Sequence, residues 1–150
     1  MVSKATVDEF LSCRRIAVIG VSRSGKKFGN SVFKELRSKG YEVYPVNQYA
    51  GEIEGTKCYT DLKALKGMVD GAVFVIPPDQ TEKLIAEAAS AGIGLIWLQR
   101  GSESSNAIKL CSDYGLKAVY GECILMFAEP AAFFHRMHKG FNRLTGRLPK

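Results

Sequence analysis

The chain has 150 residues, 46% hydrophobic and 24% charged, with a formal net charge of +6. That is the make-up of one globular domain long enough to bury its own core, so a single domain over 1–150 is expected. No apolar run approaches the roughly 20 residues that cross a bilayer, and the opening MVSKATVDEFLSCRR has no apolar stretch behind a basic end. No membrane association or secretory signal is therefore expected, and the cytoplasm is the expected location. The charge is uneven: residues 131–150 hold five Lys/Arg and no acid, so the rest of the chain carries only +1. Such a body is not expected to bind nucleic acid. Cys13, Cys58, Cys111 and Cys123 are too scattered for a zinc site, and no metal is expected.

Along the chain, short apolar runs alternate with segments of helical spacing. The runs are RIAVIGV (15–21), YEVYPV (41–46), GAVFVI (71–76), GLIWLQ (94–99) and LKAVYG (116–121). Several are apolar at successive positions, as in strands covered on both faces. After the first run, Asn30 can cap a helix with Val32, Phe33 and Leu36 on its apolar face, closed by Gly40. The segment 53–67 suggests a short edge strand and one short helix. Asp79 and Glu82 have capping-box spacing for a helix through Leu84, Ile85, Ala88 and Ala89, stopped by Gly92. Ser102 or Ser104 begins a further helix ending at Gly115. This alternation predicts an α/β fold, a doubly wound, mainly parallel, Rossmann-like sheet of about five strands with flanking helices.

In such sheets ligands lie beyond the carboxyl ends of the strands. The first end opens into VIGVSRSGKKFGNS (18–31), a glycine-rich turn with Arg23, Lys26 and Lys27 that enters a helix. Backbone N–H groups and a helix start can hold a pyrophosphate there. A dinucleotide fingerprint would place glycines at 20, 22 and 25, but residue 22 is Ser, and the second strand ends in Asn47 rather than an acid. A nucleotide-hydrolysing loop, GxxxxGK[ST], is met through Lys26 but has Lys27 where a hydroxyl is needed. A plain glycine-rich turn with solvated lysines is the third reading. At the other strand ends stand Asn47 and Gln99, with amide side chains able to hydrogen-bond, and Pro77 and Pro78, a rigid wall without N–H donors.

Taken together in their order, IAVIGVSRSGKKFGNSV, GYEVYPVNQYAGEIEGTKCYTDL, VDGAVFVIPPDQTEKLIAEAASAGI, LIWLQRGSES and GECILMF resemble the small stand-alone coenzyme A-binding domain proteins. These are similar to the coenzyme A-binding domain of the succinyl-CoA synthetase alpha subunit. The resemblance implies coenzyme A, free or acylated, as ligand. Position by position it implies that Gly20, Val21, Ser22 and Arg23 wrap the diphosphate, with Asn30 and Ser31 at the helix start and Lys27 adding charge. It implies that Val46 and Asn47 lie along the adenosine, and that Ile76, Pro77 and Pro78 line the middle of the ligand. Gln99 and Gly101 would border the pantetheine, with Cys123 at its thiol end. Ligase catalysis in those relatives uses a phosphorylated histidine in a separate domain. The two histidines here, His135 and His138, lie in the tail, so a non-catalytic binding role is expected. The alternatives are an NAD(P)-binding redox or redox-sensing protein, and an interaction module acting through the tail. That tail, about 130–150, is basic and places Phe133, Phe134, Met137, Phe141, Leu144 and Leu148 near one helical face. It would pack on the domain or on a second subunit, which leaves a homodimer open.

Overall fold

The structure, a computed structural model, describes residues 2–49 and 51–128. The chain runs α1 (Lys4–Leu11), β1 (Arg15–Ile19), α2 (Phe28–Ser38), β2 (Glu42–Val46), β3 (Glu52–Ile53), β4 (Thr56–Lys57), β5 (Gly71–Phe74), α3 (Pro78–Ser90), β6 (Leu95–Leu98), α4 (Ser105–Asp113) and β7 (Lys117–Tyr120). Five strands form one parallel sheet in the order β2-β1-β5-β6-β7. The first crossover moves outward to β2, and the next returns past β1 to β5. The connections diverge between β1 and β5, and that is where a doubly wound sheet opens its crevice.

Both faces are covered, which is why the strands are apolar at successive positions. Ile16 and Val18 face the layer of α1 and α2 with Val7, Phe10, Val32, Phe33 and Leu36. Ala17 and Ile19 face the other layer, with Ile85, Ala88, Ala107 and Cys111 of α3 and α4. Trp97 is fully buried in the first layer. Its indole meets Phe10 edge-on at 5.4 Å between ring centroids and donates from Nε1 to Glu122 O at 3.0 Å.

The helix starts depart from expectation in two places. Asn30 does not cap α2: the helix begins at Phe28 with Lys27 as N-cap, and Asn30 is its third residue. The Asn30 amide is drawn off to the preceding loop instead, as described below. Asp79 likewise does not open a capping box. Pro77 is the N-cap of α3 and Pro78 its first residue, the position where a missing N–H costs nothing. Glu82 turns away to accept from Ser104 Oγ at 2.6 Å and Asn106 Nδ2 at 2.9 Å. Ser104, by contrast, caps α4 as read, accepting from Ala107 N at 3.0 Å. Two elements differ from the sequence reading. α1 has its own signal in a Ser3 cap and buried Val7, Phe10 and Leu11. In place of a full edge strand and helix, residues 52–57 form an antiparallel hairpin, β3–β4, Tyr59 makes a single parallel bridge to Val46 at the sheet edge, and Lys63–Leu65 form one 3-10 turn. The basic tail with His135 and His138 lies outside the described residues.

Candidate functional site

The five strands of the main sheet are parallel, so their carboxyl ends gather on one edge, and every site residue singled out in the sequence lies there. Gly20 through Ser31 form the β1–α2 crossover, and Val46 and Asn47 close β2. Ile76, Pro77 and Pro78 follow β5, Gln99 and Gly101 follow β6, and Cys123 follows β7. From β2 to β7 the edge spans four strand spacings, roughly 19 Å.

The centre of the edge is built by close backbone contact. Gly20 has φ +115°, and a Cβ on it would lie 2.1 Å from Val75 O. A Cβ on Gly29 would lie 2.2 Å from Gly20 O. The start of α2, the end of β1 and the end of β5 thus touch through main chain alone. Gly29, which none of the motif spacings singled out, is the glycine that lets helix and strand close up. Gly25 instead takes φ +74° within the turn.

The loop after Gly20 is held by two asparagines. Asn30, 1% exposed, accepts at Oδ1 from Ser22 N at 3.0 Å and Ser22 Oγ at 3.1 Å, and donates from Nδ2 to Ser22 O at 2.9 Å. Asn47 donates from Nδ2 to Val21 O at 2.9 Å and accepts at Oδ1 from Tyr49 N at 2.8 Å. Val21 and Val46 are core residues, buried at 1% and 7% exposure, so only their main chains meet the edge. Arg23, Lys27 and Ser31 are exposed.

Farther along, Gln99 is 2% exposed. Its Oε1 accepts from Ile124 N at 3.0 Å and its Nε2 donates to Cys123 Sγ at 2.9 Å. Its amide therefore ties β6 to the segment after β7 and is not turned outward. Ser102, which the sequence reading treated only as a helix start, donates its backbone N–H to Gln99 O at 2.7 Å and accepts at Oγ from Ile76 N at 3.1 Å. Glu103 accepts from Gly101 N at 2.7 Å and Gly121 N at 3.2 Å. Pro77 is exposed and Ile76 and Pro78 half-buried, an apolar rim where β5 ends. Cys123 is partly exposed, whereas Cys13, Cys58 and Cys111 are buried. Burial pushes the Cys13 thiol up to about 12, with Asp70 and Glu9 adding to it, and the Cys111 thiol up to about 11. These thiols are inert core groups.

A concavity of about 480 Å³ opens on the opposite edge, between α1 and the strand starts. It is lined by charged groups already engaged with one another, Arg15 with Asp70 at 3.3 Å and, alongside, Glu9 with Lys117 at 3.0 Å. Among the described residues, no group of His, Cys, Asp and Glu could hold a metal, and no helix is long and apolar enough to cross a membrane.

Relatives share this architecture. A conserved hypothetical protein from Pyrococcus furiosus superposes with a TM-score of 0.72 at 41% identity, covering 75% of this chain and 97% of that one. The dinucleotide-forming acetyl-coenzyme A synthetase 1 of Ca. Korarchaeum cryptofilum, in its apo form, superposes with a TM-score of 0.66 at 26% identity, over 75% of this chain and 27% of the synthetase. In sequence, the alpha subunit of the ADP-forming acetate–CoA ligase II of Pyrococcus furiosus is 32% identical over 129 residues, 79% of this chain but 28% of the subunit. The uncharacterized protein YneT of Bacillus subtilis is 28% identical over 81% of this chain and 91% of its own length. The chain thus spans little more than a quarter of the ligase subunit but nearly the whole of the small relative. The family model described as a CoA binding domain matches residues 14–129, the stretch from the start of β1 past the last described residue, and the chain belongs to that family.

Proposed function

We infer that the protein binds coenzyme A, or a short acyl-CoA, along the carboxyl edge of its sheet and performs no chemistry on it. The observation that carries this reading is the contact of Gly20, Gly29 and Val75 at the point where the connections diverge. That close packing draws the start of α2 against the strand ends, where a diphosphate can meet the helix's positive end. The diphosphate lies at Gly20–Arg23 and the first turn of α2, with Lys27 and Ser31 at its border. The adenosine lies beside Val46 and Asn47, and the pantetheine passes Ile76, Pro77 and Pro78 toward Gly101 and Cys123.

Asn30, Asn47 and Gln99 act in this reading by holding the loops, because their amides are already bonded to main chain and to Cys123. The end of β2 presents Asn47 and no carboxylate for a ribose, which disfavours the NAD(P) alternative. A thermal-shift titration with coenzyme A, dephospho-coenzyme A and NADH tests the assignment. Coenzyme A at about 100 times its dissociation constant should stabilise the fold by about 2.7 kcal/mol, and dephospho-coenzyme A by less at equal concentration. A shift with NADH alone would replace this function by the dinucleotide one. Incubation with acyl-CoA should leave the thioester intact; its turnover would end the non-catalytic reading.

A further inference from the structure

The tip of the β3–β4 hairpin is formed by Glu54 (φ +53°) and Gly55 (φ +73°), the paired left-handed conformations of a tight hairpin turn. Gly, Asn or Asp take this conformation readily; a glutamate pays for it locally. The retained side chain reaches the site. Glu54 Oε2 accepts from Asn30 Nδ2 at 3.3 Å, lies 3.5 Å from Lys34 Nζ, and would be 3.6 Å from a Cβ on Gly25. The tip is fixed from behind by Arg37, which donates to Glu54 O at 3.3 Å and Thr56 Oγ1 at 2.7 Å and stacks on Phe33. Meanwhile α2 starts with no capping side chain and no acid in its first turn. Its positive end therefore has no anion from the first turn of its own element. Glu54 brings a carboxylate to this end from elsewhere in the fold, through the side chains of Asn30 and Lys34.

We propose that Glu54 is a charge-selecting residue of the phosphate loop, its carboxylate standing in for a ligand phosphate at the start of α2. Resting on the functional reading above, this has two consequences of opposite sign. In the free protein the carboxylate complements the helix end, Asn30 and Lys34, and stabilises the fold. When a polyanion arrives, the same charge opposes it, more strongly the more phosphates the ligand carries. Glu54 thus lowers affinity for coenzyme A more than for dephospho-coenzyme A.

The test compares wild type with Glu54→Gln, which keeps the size and an acceptor for Asn30 Nδ2. Glu52→Gln serves as the control, removing the same charge from an exposed position on the same hairpin. Calorimetric titration with coenzyme A should show Glu54→Gln binding about fivefold tighter at low salt, with a smaller gain for dephospho-coenzyme A. Both gains should shrink in about 0.5 M salt. The unliganded variant should melt about 1–4 °C lower, and Glu52→Gln should change neither quantity. A role confined to packing would lower stability and affinity together. If wild type binds coenzyme A and a folded Glu54→Gln binds equally or more weakly, the inference alone is overturned. If only the variant binds, Glu54 masks the site and the inference stands; if neither binds, the functional reading falls and takes it along.

Discussion

Gly29→Ala sets two effects against each other. Gly29 lies in the first turn of α2 and has no positive φ, so by helix propensity alone alanine should stabilise by up to about 1 kcal/mol. The added methyl, however, would lie 2.2 Å from Gly20 O and 2.6 Å from Gly20 C. Those are backbone atoms, and Gly20 is itself pressed against Val75 O on its other side. Relief therefore requires α2 to move off the sheet edge by about 1 Å, since no side chain can rotate out of the way. Overpacking of this kind costs about 1–3 kcal/mol and more where backbone must shift. The net expectation is a loss of about 2 kcal/mol, or about 4–8 °C in Tm for a chain of this size. Urea unfolding should report it as a lower midpoint at unchanged slope, with coenzyme A affinity falling alongside because the loop and helix start separate. A variant as stable as wild type, or more so, would show that close approach of helix and strand does not govern this edge.

Three further substitutions probe other parts of the molecule. Asn30→Ala strands the Ser22 N–H and carbonyl that the amide now satisfies; it should cost about 2 kcal/mol in urea unfolding and weaken coenzyme A binding at least tenfold, and unchanged affinity would remove the loop from the site. Trp97→Phe loses the bond to Glu122 O and leaves a void beside Phe10 and Phe127; the expected loss is about 2–3 kcal/mol with ligand affinity retained, because Trp97 lies below the edge. Cys13 and Cys111 make stability fall at alkaline pH: their folded pKa values, about 12 and about 11, lie above the ordinary 9.0. Above about pH 9 the unfolded chain sheds thiol protons that the native state keeps, so stability that is complete below pH 9 is lost by up to about 1.4 kcal/mol per pH unit per thiol as pH rises toward those values. Cys13→Ala should flatten that slope between pH 9 and 11, and an identical slope in variant and wild type would refute the assignment.

The sheet was readable because burial on both faces writes itself as apolar residues at successive positions. All five apolar runs contain a strand, trimmed at the ends where Gly20, Val75 or Gln99 turns away. The elements that were missed are short. α1 is an eight-residue helix whose Ser3 cap and Val7, Phe10, Leu11 spacing were present but cover barely two turns, too little for a helical period to stand out. The β3–β4 hairpin pairs two residues with two, too few for alternation to register, although Glu54-Gly55 marked its turn.

That the named residues gather at the carboxyl ends of the strands was legible in the sequence; how they are wired to one another was not, for a physical reason. Where a parallel ladder ends, neighbouring strands stop satisfying one another, and polar side chains must take over if the ends are to stay together. Asn47 ties the end of β2 to Val21, and Asn30 ties α2 to Ser22. Ser102 joins the loop after β6 to Ile76, and Gln99 reaches Cys123 and Ile124 after β7. Among the described residues, no buried side-chain nitrogen or oxygen is left without a partner. A sequence announces that an amide stands at a strand end, but the choice between bonding a ligand and bonding the next loop depends on distances across the sheet. Here the amides went to the loops, so under the proposed function recognition falls to main chain, helix ends and charge. An edge tied together that way would be fixed before a ligand arrives, with little ordering left to be done on binding, and its selectivity would rest on the charges placed around it.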